Sequence, residues 1–440
     1  MTEASQLSRP GPDGIARTPK LPLPVRALNR LAGAARALGA PLGRLDEASL
    51  VEEAIREAGG SDDFGDGDFL EPLRLLLAAL EEEAQLTFLG RTIARQTLVR
   101  VVRNRLQLVA DRKRHPEIAA VVIRRPLVVV GLPRTGSTIL HDILARDPAS
   151  RAPLTWECDA PSPPPERASY TSDPRIAQSD AQISGVDRLI PGFRAMHPMG
   201  ARFAQECVVL TMHSMATPIF HNSFRVPSFQ DRVDDHCDWA PVYEFHRRQL
   251  QHLQWRCEGE RWVLKSGAHM WALDHLLTTY PDACIVATHR DPVKVATSFA
   301  SLATLVRSMA SDAVDAREVA ADWTPRLAKV LHRAIDVRDS GAFSKDRFFD
   351  MHFPELLADP MGVVERIYAH FGFELSGEAA DAMRAFIAEN PQGKHGHHRY
   401  TPEQYGLDVA AERERFRHYT ERFGIEPETR EVQAGSVRDL

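Results

Sequence analysis

The stretch Pro126–Leu144, PLVVVGLPRTGSTILHDIL, limits what this chain can be more than any other. The run Leu127–Val130 is all Leu and Val, the texture of a strand buried on both faces. It leads into Gly131-Leu-Pro-Arg-Thr-Gly136-Ser137-Thr138, and then into an amphipathic pattern of helical period. Glycine at 131 and 136 lets the backbone turn tightly and come close to a ligand. The first turn of the new helix leaves N–H groups free and carries the positive end of the helix dipole. Ser137 and Thr138 add hydroxyls, and Arg134 adds a planar cation. Such a set makes a cradle for an anion, above all a phosphate. The spacing G-x4-G matches the loop of nucleotide triphosphatases, with one departure. That loop needs Lys and then Ser/Thr after its second glycine, and here Ser137 takes the Lys position.

One strand–loop–helix unit calls for others beside it. A second apolar run, Cys284–Thr288, also precedes a turn and a helical pattern, and Arg347–Phe353 is a third, weaker strand candidate. Helical patterns cover 137–146, 270–280, 293–307, 316–337, 360–372 and 376–389. Strands alternating with helices predict an α/β fold, a P-loop-like three-layer arrangement with a central, mainly parallel sheet flanked by helices. We assign it to residues 121–440, preceded by an α-helical N-terminal region over 21–120 and a flexible tail over 1–20. In the helical region, Leu73, Leu76, Leu77 and Leu80 recur at spacings of three and four within 70–88, and 91–113 reads as a second long helix. The acidic stretch GGSDDFGDGD before them lacks calcium-loop spacing and reads as a solvated linker. The segment 159–200, rich in Pro, Ser and Gly, is long for a plain connection and suits a wall or lid over a site.

Composition closes off several classes. With 440 residues, 43% of them hydrophobic, the chain can bury a large core. Its 54 Lys and Arg against 60 Asp and Glu leave a net charge of −6, so general nucleic-acid binding is a poor fit and any anion site must be built locally. The five cysteines, Cys158, Cys207, Cys237, Cys257 and Cys284, are scattered and form no CxxC pair, which points to reduced thiols and a cytoplasmic protein. No apolar run approaches the roughly 20 residues of a membrane helix, and the polar start MTEASQLSRPGPDG is no signal peptide.

A second anion site follows the second strand. Arg290 stands in Thr288-His289-Arg290-Asp291-Pro292, and Ser298 lies eight residues later on the next helix, where the two can close on a phosphate. With both sites in this order, the chain resembles the sulfotransferases that use 3′-phosphoadenosine-5′-phosphosulfate (PAPS) as donor. Their 5′-phosphosulfate loop is similar to GLPRTGST, the tyrosylprotein-sulfotransferase version reading G-x-P-R-S-G-T-T, and their 3′-phosphate signature is an Arg with a Ser eight residues on. The stretch Trp262–Leu302 looks like a bacterial branch of the superfamily, and the resemblance covers roughly 126–425.

The resemblance implies transfer of a sulfuryl group from PAPS to a hydroxyl of a small-molecule acceptor, with no metal required. It assigns Arg134, Thr135, Gly136, Ser137 and Thr138 to the 5′ end and Arg290 and Ser298 to the 3′-phosphate. Arg134 and Lys265, the latter in VLKS, would stabilise the leaving group, with Ser266 helping. Glu157, in Leu154-Thr-Trp-Glu, is the expected base, with His197 and Glu206 in reserve. Near the C-terminus, Gln392-Gly-Lys394-His395-Gly396-His397-His398-Arg399 is similar to a basic loop that folds over the nucleotide, with Lys394 and Gly396 as contacts. Its histidines could bind zinc, but no partner Cys or carboxylate motif supports that.

Two other readings compete. A P-loop kinase or triphosphatase would need Lys at 137 and a strand ending in a magnesium-binding Asp. A non-catalytic nucleotide-binding protein would keep the loop and have no use for Glu157 or Lys265 beside it. For the acceptor, Trp156, Phe193, Met196, Met199, Phe203, Phe220, Phe224, Trp239, Tyr243 and Phe245 supply apolar surface, which suits a lipid, sterol-like or phenolic hydroxyl. The helical N-terminus is a candidate either for shaping that pocket or for forming a homodimer.

Overall fold

The computed structural model describes residues 21–189, 200–390 and 401–428. Among them five strands form one wholly parallel sheet: β1 Leu127–Gly131, β2 Ser150–Arg151, β3 Arg261–Lys265, β4 Cys284–His289 and β5 Phe348–His352, in the order β2-β3-β1-β4-β5. In β1 and β4 every residue is buried. Leu127 and Val129 face one core with Val263, Cys284 and Val286, while Val128 and Val130 face the other with Leu264, Ile285 and Ala287. This two-residue alternation between two apolar layers is why these runs show no polar face in sequence. The three strands predicted at 127, 284 and 347 are present. β3 and the two-residue β2 carry too little pattern to be read: β3 starts at Arg261 and ends in Lys265, and only three apolar residues lie between.

Helices cover both faces. On one side lie Ser137–Leu144, Pro360–Phe371 and Gly377–Glu389, contributing Leu140, Ile143, Val364, Ile367 and Met383. On the other lie Trp239–Gln254, Pro292–Ser308 and Ala316–Asp339. The N-terminal region is helical, with Leu23–Ala37, Glu47–Glu57, Leu70–Glu82 and Phe88–Arg114. The last is capped by Thr87, whose hydroxyl accepts from the Gly90 N–H at 3.1 Å and also donates to the Ala310 carbonyl at 3.1 Å. Leu73, Leu76, Leu98, Val102 and Leu106 share one continuous core with Val128 and Ile285 of the sheet. The helices therefore brace the sheet through shared packing.

Because β3 and β4 lie on opposite sides of β1, the connections leaving β1 part at its carboxyl end. In open parallel sheets that crevice is where ligands bind. No helix among the described residues is long and apolar enough to cross a membrane.

Candidate active site

The loop after β1 takes the shape its glycines allow. Gly131 has φ 156°, and a Cβ there would lie 2.1 Å from the Thr288 Oγ1 on β4. Gly136 has φ 84° and caps the helix Ser137–Leu144; a Cβ there would press on Leu356 and Phe353 at 2.9 Å. Arg134 itself sits at φ 70°, a conformation costly for a side chain with a Cβ and typical of ligand-gripping turns. That turn leaves Arg134 and Thr138 exposed at the rim, with Ser137 buried at the helix start. Thr135 is fully buried, and its hydroxyl is spent inside the protein, 2.7 Å from the Leu132 carbonyl and 2.5 Å from Thr288 Oγ1. It holds the loop to β4.

The two segments expected to bind anions, far apart in sequence, meet. Arg134 Nε donates to Ser298 Oγ at 3.1 Å, and Arg290 Nη1 donates to the Arg134 carbonyl at 2.9 Å. Arg290 also stacks over the Phe353 ring at 4.1 Å. Its remaining edge is taken by a carboxylate: Nε and Nη2 donate to the two oxygens of Glu428 at 2.7 and 3.0 Å, and the Glu428 N–H donates to Asp291 Oδ2 at 2.8 Å. Glu428 had no motif to mark it; its place became visible only when the chain end returned to β4.

Lys265 ends β3 with its ammonium buried beside the loop. It donates to Thr138 Oγ1 at 3.0 Å and pairs with the Glu206 carboxylate. Glu206 is half-buried and caps the helix Cys207–Met212. The segment that carries it is anchored by an antiparallel bridge between Leu154 and Ala204 and by the Gln205 N–H donating to Pro153 O at 2.7 Å. Asp142, on the loop helix, adds a second carboxyl nearby. Burial pushes it up to about 6, with Glu206 pushing the same way and Arg146 and Lys265 opposing. His141 beside it is driven down to about 4 by burial and by the Lys265 charge, so it is neutral. Ser266 faces inward and accepts from the Ala268 N–H at 3.1 Å.

Glu157, the expected base, has other partners. It is fully buried, paired with the Arg151 guanidinium, and its second oxygen accepts from the Leu154 N–H at 2.9 Å and the Tyr170 hydroxyl at 3.3 Å. None of these partners belongs to the loop, to β3 or to the 3′-phosphate motif. Of the described aromatic residues expected to line an acceptor pocket, Trp156, Phe220, Phe224, Trp239, Tyr243 and Phe245 are core, and Phe203 is exposed, on the segment that leads to Glu206. Phe193, Met196, His197 and Met199, like Lys394, Gly396 and the histidines around them, lie outside the described residues.

Comparison with known proteins agrees with this architecture. A family model described as "Sulfotransferase family" matches residues 126–377. Among solved structures, sulfotransferase STF1 from Mycobacterium tuberculosis is 35% identical, with a TM-score of 0.76, covering 84% of this chain and 98% of its own. Sulfotransferase STF9 from Mycobacterium avium is 28% identical, with a TM-score of 0.80, covering 88% and 99%. A curated relative from Mycobacterium bovis, omega-hydroxy-beta-dihydromenaquinone-9 sulfotransferase Stf3, is 23% identical over 65% of this chain and 73% of its own length.

Proposed function

The chain belongs to the sulfotransferase family, and we propose that it moves a sulfuryl group from PAPS to the hydroxyl of a largely apolar small molecule, with Glu206 as base. The observation that carries the donor assignment is the contact between the two anion motifs, Arg134 to Ser298 and Arg290 to the Arg134 carbonyl. It sets cationic and hydroxyl donors for two separate phosphates into one clamp. The donor set fits PAPS: Arg134, Ser137, Thr138 and the helix N–H groups at the 5′ end, and Arg290 with Ser298 at the 3′-phosphate. When bound, PAPS supplies a sulfur centre ready for displacement and a stable phosphate leaving group.

The remaining work falls to this chain's own side chains. Glu206 accepts the proton of the acceptor hydroxyl as its oxygen bonds to sulfur. Lys265 stands between Glu206 and Thr138, so one ammonium serves both the base and the loop. With Arg134 it offsets the charge that grows on the departing phosphate oxygen as the S–O bond breaks. Glu206 rather than Glu157 is the base on this reading, because the Glu157 partners Arg151 and Tyr170 are not on the loop, whereas Glu206 pairs with Lys265, which reaches Thr138. Phe203, exposed near it, gives the acceptor an apolar contact. The relative named for an omega-hydroxylated menaquinone supports an acceptor of the same class, a hydroxyl on a long apolar body.

Calorimetry without magnesium tests the donor. We expect 3′-phosphoadenosine-5′-phosphate to bind at least about tenfold more tightly than AMP, given roughly 1.5–3 kcal/mol for hydrogen bonds to a charged phosphate. Equal affinities would remove the two-phosphate clamp. A P-loop kinase loses ground on the same loop, since Ser137 and not Lys follows Gly136.

A further inference from the structure

Behind Lys265 three side chains that the proposed chemistry does not use converge on one point. Cys207 opens the helix that Glu206 caps, His246 lies midway along Trp239–Gln254, and His269 lies in the 3-10 turn Gly267–Ala272 just past β3. One potential ligand atom from each lies within 4.8 Å of the others, and all three residues are at most 1% exposed.

The hydrogen bonds of the two imidazoles give the cluster a direction. His246 Nδ1 is held by the Tyr280 hydroxyl at 2.8 Å, and His269 Nδ1 by the Tyr243 hydroxyl at 2.9 Å. The Nε2 atom of each ring, fully buried, has no partner. Buried polar atoms in native cores are almost always satisfied, and here two orphans of the same kind stand side by side with a thiol. Rings fixed at Nδ1 by an oxygen, with Nε2 left unpartnered, are held as metal-ligating histidines are.

We propose that Cys207 Sγ, His246 Nε2 and His269 Nε2 bind a thiophilic d10 metal ion, of which zinc(II) is the first choice and copper(I) the second. A thiolate with two imidazoles is the ligand set such ions prefer. A small contraction of the three side chains brings the cluster to ligand distances of about 2.0–2.3 Å. Binding displaces the thiol proton to solvent, so uptake strengthens as pH rises. In the metal-free protein burial pushes the Cys207 thiol up to about 12, with the Lys265 N–H and ammonium opposing. Each Nδ1–H then donates to its tyrosine oxygen, and each Nε2 lone pair to the ion. Because Cys207 follows Glu206 and His269 closely follows Lys265 in sequence, the ion ties together the two segments that bring the carboxylate and the ammonium into contact. That positioning role rests on the functional reading above; the binding itself does not.

The test uses the full-length protein, prepared in zinc-supplemented medium and dialysed against a weak chelator. Plasma mass spectrometry should count about one zinc per chain, and stripping it should lower the melting temperature. Cys207→Ser and His269→Gln should each lose the ion, whereas Cys284→Ser, whose side chain faces the other core, should keep it. Cobalt(II) in place of zinc should give a thiolate-to-metal charge-transfer band that Cys207→Ser abolishes. If either variant fails to fold, titration of the stripped wild-type protein with zinc, and separately with copper(I), against a chromophoric chelator decides. A wild-type protein that holds neither ion against the chelator overturns the proposal and leaves an internal water as the partner of the two Nε2 atoms. So does metal retention that both folded variants preserve. A wild-type protein without metal that still binds the nucleotide and turns over would leave the sulfotransferase reading standing.

Discussion

Arg151 and Lys265 end adjacent strands, β2 and β3, and each holds a glutamate from a segment linked by the same antiparallel bridge. The surroundings of the two pairs differ. Arg151 and Glu157 are enclosed: the guanidinium also donates to the Cys257 carbonyl at 2.8 Å and stacks on Trp262 at 4.8 Å, and the carboxylate is fully buried. Lys265 and Glu206 form a half-open pair, with the lysine buried, the glutamate a third exposed, and Thr138 of the loop within hydrogen-bond reach. On the function proposed above, the same charges serve folding in the sealed pair and chemistry in the pair that reaches the loop.

The sharpest way to break this comparison is to neutralise each carboxylate in turn. Glu206→Gln should lower turnover by about 10²–10⁴, the usual contribution of a positioned base, while nucleotide affinity and the urea midpoint change little. Rates measured with saturating donor check this. A variant within about twofold of wild type would falsify Glu206 as base and return the question to Glu157.

Glu157→Gln should do the reverse. It leaves the buried Arg151 guanidinium without a counter-charge, and removing one partner of such a pair costs about 3 kcal/mol or more. Urea unfolding should register the loss, and the protein that remains folded should turn over at the wild-type rate. Unchanged stability with lost turnover would reverse the assignment of the two pairs.

The contrast also explains what the sequence could and could not disclose. The turn of the loop Gly131–Thr138 is legible because backbone geometry demands glycine at fixed local spacing: a Cβ at Gly131 would collide with Thr288, and Gly136 is left-handed. The sheet is legible for a related reason, since β1 and β4 are apolar on both faces. β3 hides between Arg261 and Lys265, and its position beside β1 depends on contacts distant in sequence. Glu157 and Glu206 look alike in one dimension, each a Glu beside a Cys at a helix start. Which of them reaches the loop depends on whether Arg151 or Lys265 meets it, and pairings across that distance leave no local pattern. The aromatic residues from Phe220 to Phe245 fail as pocket markers on the same ground, because apolar side chains signal burial without saying whether protein or ligand provides it.

A third carboxylate–cation pair sharpens the comparison with a smaller effect. Glu428 grips Arg290 through both oxygens, with the two side chains about one-fifth exposed. On the proposed donor assignment, it occupies an edge of Arg290 that a 3′-phosphate would claim. The pair is neither sealed like Arg151–Glu157 nor in contact with the loop hydroxyl like Lys265–Glu206; on the proposed function it is a contact that nucleotide binding exchanges. Partly exposed pairs of this kind are worth about 1 kcal/mol or less. Glu428→Gln should therefore tighten 3′-phosphoadenosine-5′-phosphate binding up to about fivefold and leave AMP affinity unmoved, because AMP has no 3′-phosphate to claim the vacated edge. Titration of both nucleotides into wild type and variant measures the difference directly. If both nucleotides gain equally, Glu428 repels anions from a distance without contesting the 3′ site. If neither gains, Arg290 meets the phosphate from another side, and its pairing with Glu428 belongs with the sealed kind.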